Sequence, residues 1–363
     1  MSMALVAFAA FVLALVLTPA VRWFAFRIGA VDVPTGRKVH SRVMPRLGGL
    51  AIWAGFTIVA CALGWWKPEL WRPEMTGLLI GSFIIVLTGV LDDRFDLSPK
   101  IKLIGQVAAA GAVIPFGLSV DFVTNPFINP DVLELGWLKI PITIFWIIGV
   151  TNAVNLIDGL DGLAAGISAI AALTLAVVSW TQGQILVAYL ALAIGAAAVG
   201  FLKHNFHPAT IFMGDTGAMF LGFVLACLSI MGLAKVATVI SVFVPILIVG
   251  IPILDTGFAI FRRYQKGQPI FQADKGHLHH RLLELGFSHP QTVLIIYGIN
   301  AVLGITAVIL TSVSTAQSVF VLIFVASLIL VLADRLGIVG RSTAVTEVAV
   351  SRIAIKQEQP EER

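Results

Sequence analysis

Apolar residues run along this chain in long blocks separated by short polar stretches. The blocks fall near 3–26, 47–66, 75–91, 101–118, 138–152, 160–180, 184–201, 216–233, 237–260, 292–311 and 316–334. Most have about 17–25 residues, the length a helix needs to cross the hydrocarbon core of a bilayer. They lack the period-two alternation of barrel strands, and in lipid each segment must satisfy its own backbone hydrogen bonds. The pattern therefore predicts an all-α integral membrane protein with about eleven transmembrane helices. One polytopic domain over 1–339 is expected, followed by a flexible, charged tail over 340–363. The first block has no basic residue on its N-terminal side and carries Arg22 and Arg27 at its far end. It reads as a retained span rather than a cleaved leader.

Composition and charge sharpen this picture. The chain is 58% hydrophobic and 12% charged, whereas soluble domains are roughly 45–50% apolar and about 25% charged. With eleven spans, every Lys and Arg except Lys67, Arg72, Lys139 and Lys235 falls on the side that also carries the tail. Basic loops mark the cytoplasmic side, so the N-terminus is expected outside and the C-terminus in the cytoplasm. No basic run interleaves with aromatics, and nucleic acid is set aside as a partner. Cys61 and Cys227 lie inside apolar blocks and read as small hydrophobes, without a disulfide framework or a cysteine metal site.

The candidate chemistry lies in five loops, all on the expected cytoplasmic face. Asp92, Asp93 and Asp96 close the third span in Leu91-Asp92-Asp93-Arg94-Phe95-Asp96. Adjacent carboxylates at a membrane boundary repel each other and are costly to desolvate. A divalent cation or a phosphate-handling role offsets that cost; a solvated loop of topology-setting charges is the plain alternative. Asn155, Asp158 and Asp161 recur every three residues at the start of the sixth span, a spacing that a helical turn would place on one face. Capping by Asp161 alone is the rival reading. Asn205, Phe212 and Asp215 lie in Lys203-His204-Asn205-Phe206-His207-Pro208 and Phe212-Met213-Gly214-Asp215-Thr216-Gly217. There the glycines allow close backbone approach to a ligand, and Asp215 is a candidate metal ligand; an ordinary capped turn is the alternative. His277, His279, His280 and Arg281 cluster in Asp274-Lys275-Gly276-His277-Leu278-His279-His280-Arg281. These suit a polyanion such as a diphosphate, with a zinc site or an inert solvated loop as rivals. The fifth loop, Gly36 to Gly49, is basic and contains Pro45 followed by paired glycines.

Taken together, DDRFD, NLIDGLDGLA, FMGDTG and HLHH, in this order and spacing, resemble the polyprenyl-phosphate N-acetylhexosamine-1-phosphate transferase family, the WecA/TagO-like branch of the MraY/WecA superfamily (glycosyltransferase family 4). The likeness covers essentially the whole chain. It implies a bacterial inner-membrane, multi-pass enzyme that moves N-acetylglucosamine 1-phosphate from UDP-N-acetylglucosamine to undecaprenyl phosphate and releases UMP. This would be a first membrane step toward a teichoic acid, lipopolysaccharide or other envelope glycan. Its implied partners are those two substrates and membrane lipids, with a homodimer compatible. Mg²⁺ is the implied cofactor, with Mn²⁺ as a substitute. By the same resemblance, Asp215 and Asp92 hold the metal, and Asp92, Asp93, Asp158, Asp161 and His279 are catalytic. Asn155, Asn205, Phe212, His277, His280 and Arg281 bind substrate, with Phe212 where the family stacks the uracil.

Other readings stay open beside it. A muramoyl-pentapeptide or another N-acetylhexosamine donor fits the same superfamily. A transporter is the alternative from outside enzymes, but transporters place polar groups near the midplane on broken helices, and here only Asp255 approaches such a position. The CDP-alcohol phosphotransferase signature is only partly echoed by Asp158 to Ala165 and lacks an arginine at Gly166.

Overall fold

The computed structural model describes residues 2–34, 42–124, 132–233, 240–265, 267, 276–335 and 338. Arg37, Lys38, Asp274, Lys275 and the 340–363 tail lie outside the described residues.

Helices dominate, in the order α1 (Met3–Ile28), α2 (Gly49–Trp66), α3 (Pro73–Phe95), α4 (Pro99–Val113), α5 (Lys139–Ile157), α6 (Leu163–Thr181), α7 (Ile185–Asn205), α8 (Gly214–Leu233), α9 (Ile240–Ile248), α10 (Gly250–Gln265), α11 (Leu278–Glu284), α12 (His289–Leu310) and α13 (Thr315–Arg335). Among the described residues nine are long and apolar enough to cross a membrane: α1, α2, α3, α5, α6, α7, α8, α12 and α13. Two of the eleven expected spans take another form. The fourth is α4, with 15 residues followed by a single 3-10 turn. The ninth divides at Val249 into α9 and α10. Pro252 lacks the N–H that would bond the carbonyl four residues back, and its ring crowds that carbonyl.

Local signals explain where the helices begin and end. The Ser2 hydroxyl accepts from Leu5 N at the start of α1, and Gly29 closes that helix in the left-handed region at φ 73°. Prolines open α3 and α4, where their missing N–H costs nothing. Ser288 and Gln291 form a reciprocal capping box at the start of α12.

Packing within lipid cannot rely on apolar burial from water, so close backbone approach matters more. The α6–α7 contact brings small residues together: a Cβ at Gly195 of α7 would meet Ala172 Cβ at 3.2 Å and Ala169 O at 3.4 Å on α6. α8 is the most enclosed of the long helices and packs on α3 and α5, whereas α13 is the most exposed. Two glycines let neighbours close around the N-terminus of α8. A side chain at Gly49 would collide with Gly217, and one at Gly89 with the backbone of Thr216. Near that end, the two-residue strands β1 (Val31–Asp32) and β2 (Met44–Pro45) pair antiparallel. A second antiparallel pair is formed by β3 (Phe122–Thr124) and β4 (Val132–Glu134).

Candidate active site

The end of α3, the start of α4, the end of α5 and the start of α8 meet at one place. Lys102 is the junction. Its ammonium lies 2.6 Å from Asp92 Oδ2 and 2.7 Å from Asp215 Oδ2. Asn155 Nδ2 donates to Asp215 Oδ1 at 3.0 Å. One turn below Asn155, the side-chain amides of Asn152 and Gln106 exchange hydrogen bonds at 2.7 and 3.1 Å, which ties α5 to α4. Residues remote in sequence are thereby fixed relative to one another by charge-assisted bonds, the strong class of hydrogen bond.

The two adjacent aspartates of α3 have different environments. Asp93 is buried, and both of its oxygens are used. Oδ1 accepts from Asp215 N at 3.0 Å, and Oδ2 accepts from Thr216 N at 3.0 Å and Thr216 Oγ1 at 2.6 Å. It caps α8 from another helix, satisfying N–H groups that otherwise have no intrahelical partner. Asp92 Oδ1 accepts from Leu97 N at 2.9 Å, and its other oxygen faces Lys102. The side chain of Asp92 is only 6% exposed, whereas that of Asp215 is 26% and that of Lys102 is 30%. Of the three groups in this ion cluster, Asp215 and Lys102 are therefore the ones an incoming ligand meets.

The expected polar stripe of Asn155, Asp158 and Asp161 on one helical face is not what forms. α5 ends at Ile157 and α6 begins at Leu163. Residues 158–162 make a loop, with Gly162 at φ 79°. The helical spacing therefore lapses after Asn155. Asp158 feels the charges of Asp215 and Asp93, and burial followed by those charges pushes its carboxyl up to about 8. Asp161 instead accepts from Ala209 N at 3.1 Å and pairs with His207 Nδ1 at 2.9 Å. The loop is pinned from two sides. Gly162 N donates to Asn205 Oδ1 at 3.1 Å, and Tyr297 donates its hydroxyl to Gly162 O at 2.5 Å. Asn205 is buried, and its amide also donates to Ile211 O at 3.0 Å. Its geometry is that of a loop clamp between α7 and the approach to α8.

Phe212 is half-buried, and its backbone is held on both sides: Phe212 N donates to Pro45 O at 2.8 Å, and Gly48 N donates to Phe212 O at 3.0 Å. The Pro45–Gly49 turn is thus a support for the segment that delivers Asp215. Arg46 extends from the same turn to Asp32 at 2.6 Å.

The histidine motif forms α11 and does not present a row of open cations. His277 Nδ1 lies 2.7 Å from Asp255 Oδ2, and Leu278 N donates to Asp255 Oδ1 at 2.9 Å. Asp255 thereby orients His277 and caps the helix. His279 is buried against the 158–162 loop, where a Cβ at Gly159 would meet its Nε2 at 2.8 Å. The His279 and His280 rings lie 4.2 Å apart. Arg281 pairs with Glu284 at 2.8 Å. Burial, then the charge of His280, holds the His279 ring down to about 4. An unfolded chain takes up that proton near 6.5. Above that value the ring is neutral in both states, and between about 6.5 and about 4 only the unfolded state binds the proton. Stability should therefore fall as pH is lowered through this window. A His279→Gln variant, compared by thermal melts at pH 7.5 and pH 5, should lose part of this acid sensitivity. An identical pH dependence would remove His279 as its source.

Lys102, Thr216, Asp255 and Tyr297 were not among the candidate site residues. Lys102 resembles any basic residue at a span end, and its one signal is its place in the first turn of an apolar helix soon after Asp92 and Asp93.

Comparison with known proteins places this arrangement. The family model described as "Glycosyl transferase family 4" matches residues 75–233, the stretch that contains Asp92, Lys102, Asn155, Asp158 and Asp215. The chain is 45% identical to a Bacillus subtilis protein named "Probable undecaprenyl-phosphate N-acetylglucosaminyl 1-phosphate transferase", over 90% of each chain. It is 36% identical to the Mycobacterium tuberculosis "Decaprenyl-phosphate N-acetylglucosaminephosphotransferase", over 81% of this chain and 79% of that one. With the Escherichia coli "Undecaprenyl-phosphate alpha-N-acetylglucosaminyl 1-phosphate transferase" it shares 28% identity over 76% of this chain and 75% of the relative. Near-full-length similarity of this degree, together with the clustered DDRFD, NLIDGLDG and FMGDTG residues, shows that the chain belongs to glycosyl transferase family 4.

Proposed function

We infer that this protein transfers N-acetylglucosamine 1-phosphate from UDP-N-acetylglucosamine to undecaprenyl phosphate in the bacterial cytoplasmic membrane. The observation that carries the reading is the junction of Asp92, Lys102, Asn155 and Asp215, a partly open charged site at one end of the helices. The relatives are named for undecaprenyl phosphate and decaprenyl phosphate, which supports a polyprenyl phosphate acceptor. The distribution of Lys and Arg supports a cleft facing the cytoplasm. In the reaction, a lipid phosphate oxygen attacks the β-phosphorus of the UDP-sugar. The bond from that phosphorus to the oxygen bridging the α- and β-phosphates breaks, and UMP leaves with its electron pair.

The donors around Asp215 fit Mg²⁺, and Mn²⁺ likewise. They are carboxylate oxygens, the hard ligands such ions take together with substrate phosphates. Asp158 strengthens the fit, because the charged groups that act on its carboxyl are the carboxylates of Asp215, Asp93 and Asp161. We assign the ion to Asp215, with Asp92 the second carboxylate in reach. Bound there, Mg²⁺ would neutralise the diphosphate and favour departure of UMP.

The remaining roles belong to the chain's own groups. Asn155 orients Asp215. Lys102 offers a compact positive charge that can pass from the carboxylates to a phosphate oxygen. A lipid phosphate is already ionised near neutral pH and needs no strong base, so Asp92 acts by positioning Lys102, and Asp93 by holding α8. Asp158, Asp161 and Phe212 line the nucleotide-sugar pocket, with Asn205 supporting it from behind. His277, His279, His280 and Arg281 border the diphosphate and sugar.

Purified full-length protein in detergent, given undecaprenyl phosphate, Mg²⁺ and sugar-labelled UDP-N-acetylglucosamine, should form labelled lipid. EDTA should stop it. Preference for UDP-N-acetylgalactosamine or the UDP-muramoyl pentapeptide in the same assay would overturn the donor assignment. Lys102→Met should lower kcat by on the order of 10²-fold, the scale of losing one fixed charge from a transferring phosphoryl group. An unchanged kcat would take Lys102 out of the site.

A further inference from the structure

Behind the 158–162 loop lies a second group of ligating side chains. Asp161 comes from that loop, His207 from the α7–α8 connection and His289 from the first position of α12. Their ligand atoms all lie within 4.8 Å of one another. The two imidazole rings stack with centroids 4.4 Å apart and planes 21° from parallel. His207 Nδ1 is 2.9 Å from Asp161 Oδ2. His289 Nε2 is buried and has no hydrogen-bond partner. A buried ring nitrogen left without a partner is costly, and a metal ion is one way to satisfy it.

The supports around these three residues are fixed independently of one another. Asp161 is held by the Ala209 N–H at 3.1 Å. Its neighbour Gly162 is held by Asn205 and Tyr297. His289 sits directly after the Ser288 capping box. The side chain of His207 is 39% exposed, which leaves a route of entry.

We propose that Asp161, His207 and His289 form a site for one transition-metal cation of the zinc class, distinct from the oxygen-lined site at Asp215. Two imidazoles and one carboxylate from three separated elements make a three-ligand set that leaves a position for water. Imidazole donors favour Zn²⁺, Co²⁺ or Ni²⁺, whereas Mg²⁺ selects oxygen. The ion takes the rings in their neutral form. Resting on the reading of Asp161 as a pocket residue, occupancy ties that carboxylate to the two histidines and opposes donor binding.

The test reads metal content and does not depend on turnover. Untagged, metal-stripped full-length protein in detergent is incubated with Zn²⁺ in the presence of excess Mg²⁺, desalted and analysed for zinc. About one zinc per chain should remain, as for a single three-ligand site. It should be lost in both His207→Asn, which keeps a donor toward Asp161, and His289→Gln. Co²⁺ in place of Zn²⁺ should give a visible absorption band in the wild type that both variants lack. Mg²⁺-dependent product formation, where present, checks that the variants are folded, and thermal melts check it otherwise. No retained zinc in the wild type, or equal zinc in folded variants, overturns the proposal. Loss of the sugar-phosphate reading would leave the zinc result standing and remove only its effect on donor binding.

Discussion

Asp215→Asn is expected to lower lipid-product formation by about 10³-fold or more, the scale on which a preorganised charge at a reacting phosphate contributes, while leaving the thermal melt within a few degrees of wild type. The change keeps the volume and one oxygen. It keeps the backbone N–H that bonds Asp93 Oδ1 at 3.0 Å, so the cap of α8 survives. What disappears is the accessible negative charge that faces Lys102 at 2.7 Å and accepts from Asn155 at 3.0 Å. If that charge holds the divalent ion, raising the Mg²⁺ concentration should recover part of the rate without restoring kcat. Wild-type kcat in this variant would remove Asp215 from the metal site.

Asp93→Ala is expected to act in the opposite way, with its main effect on stability. Three hydrogen bonds to Asp215 N, Thr216 N and Thr216 Oγ1 end on this buried carboxylate. Losing a helix cap and leaving buried N–H groups unsatisfied should destabilise by about 2–4 kcal/mol. The melt should drop by several degrees or more. Asp93→Asn keeps one acceptor oxygen and should fall between the two. Two aspartates joined through one backbone hydrogen bond thus make separable predictions: Asp215→Asn loses rate and keeps its melt, and Asp93→Ala loses its melt. A normal melt for Asp93→Ala would contradict the capping role.

The difference between what the chain's pattern reveals and what it conceals follows from the range of the interactions. Hydropathy locates the long helices because a span of lipid demands a contiguous apolar run. It treats 237–260 as one such run because an average over a window is blind to Pro252, which interrupts the backbone where α9 meets α10. The Asn155–Asp158–Asp161 spacing is periodic on paper, but Gly159 and Gly162 stop the helix at Ile157, and the two aspartates turn toward different partners. Asp215 is legible because glycines flank an acid at a helix start. The function of Asp93 is not, because its partners lie 122 and 123 residues away. Lys102 is hidden for another reason: a lysine at a membrane boundary has an ordinary topological explanation, and only the fold brings it between Asp92 and Asp215. Asp255 reads as an isolated charge until the chain returns 22 residues later with His277.

The central claim is a phosphosugar transfer carried out beside Asp215 and Lys102, and the identity of the nucleotide released tests it most directly. Purified wild-type protein and Asp215→Asn would be supplied with undecaprenyl phosphate, Mg²⁺ and UDP-N-acetylglucosamine labelled in the uridine, and the products separated. The account predicts UMP from the wild type in equal amount to the lipid diphosphate sugar formed, and almost none from Asp215→Asn. Release of UDP, or UMP formation unaffected by the substitution, would contradict it.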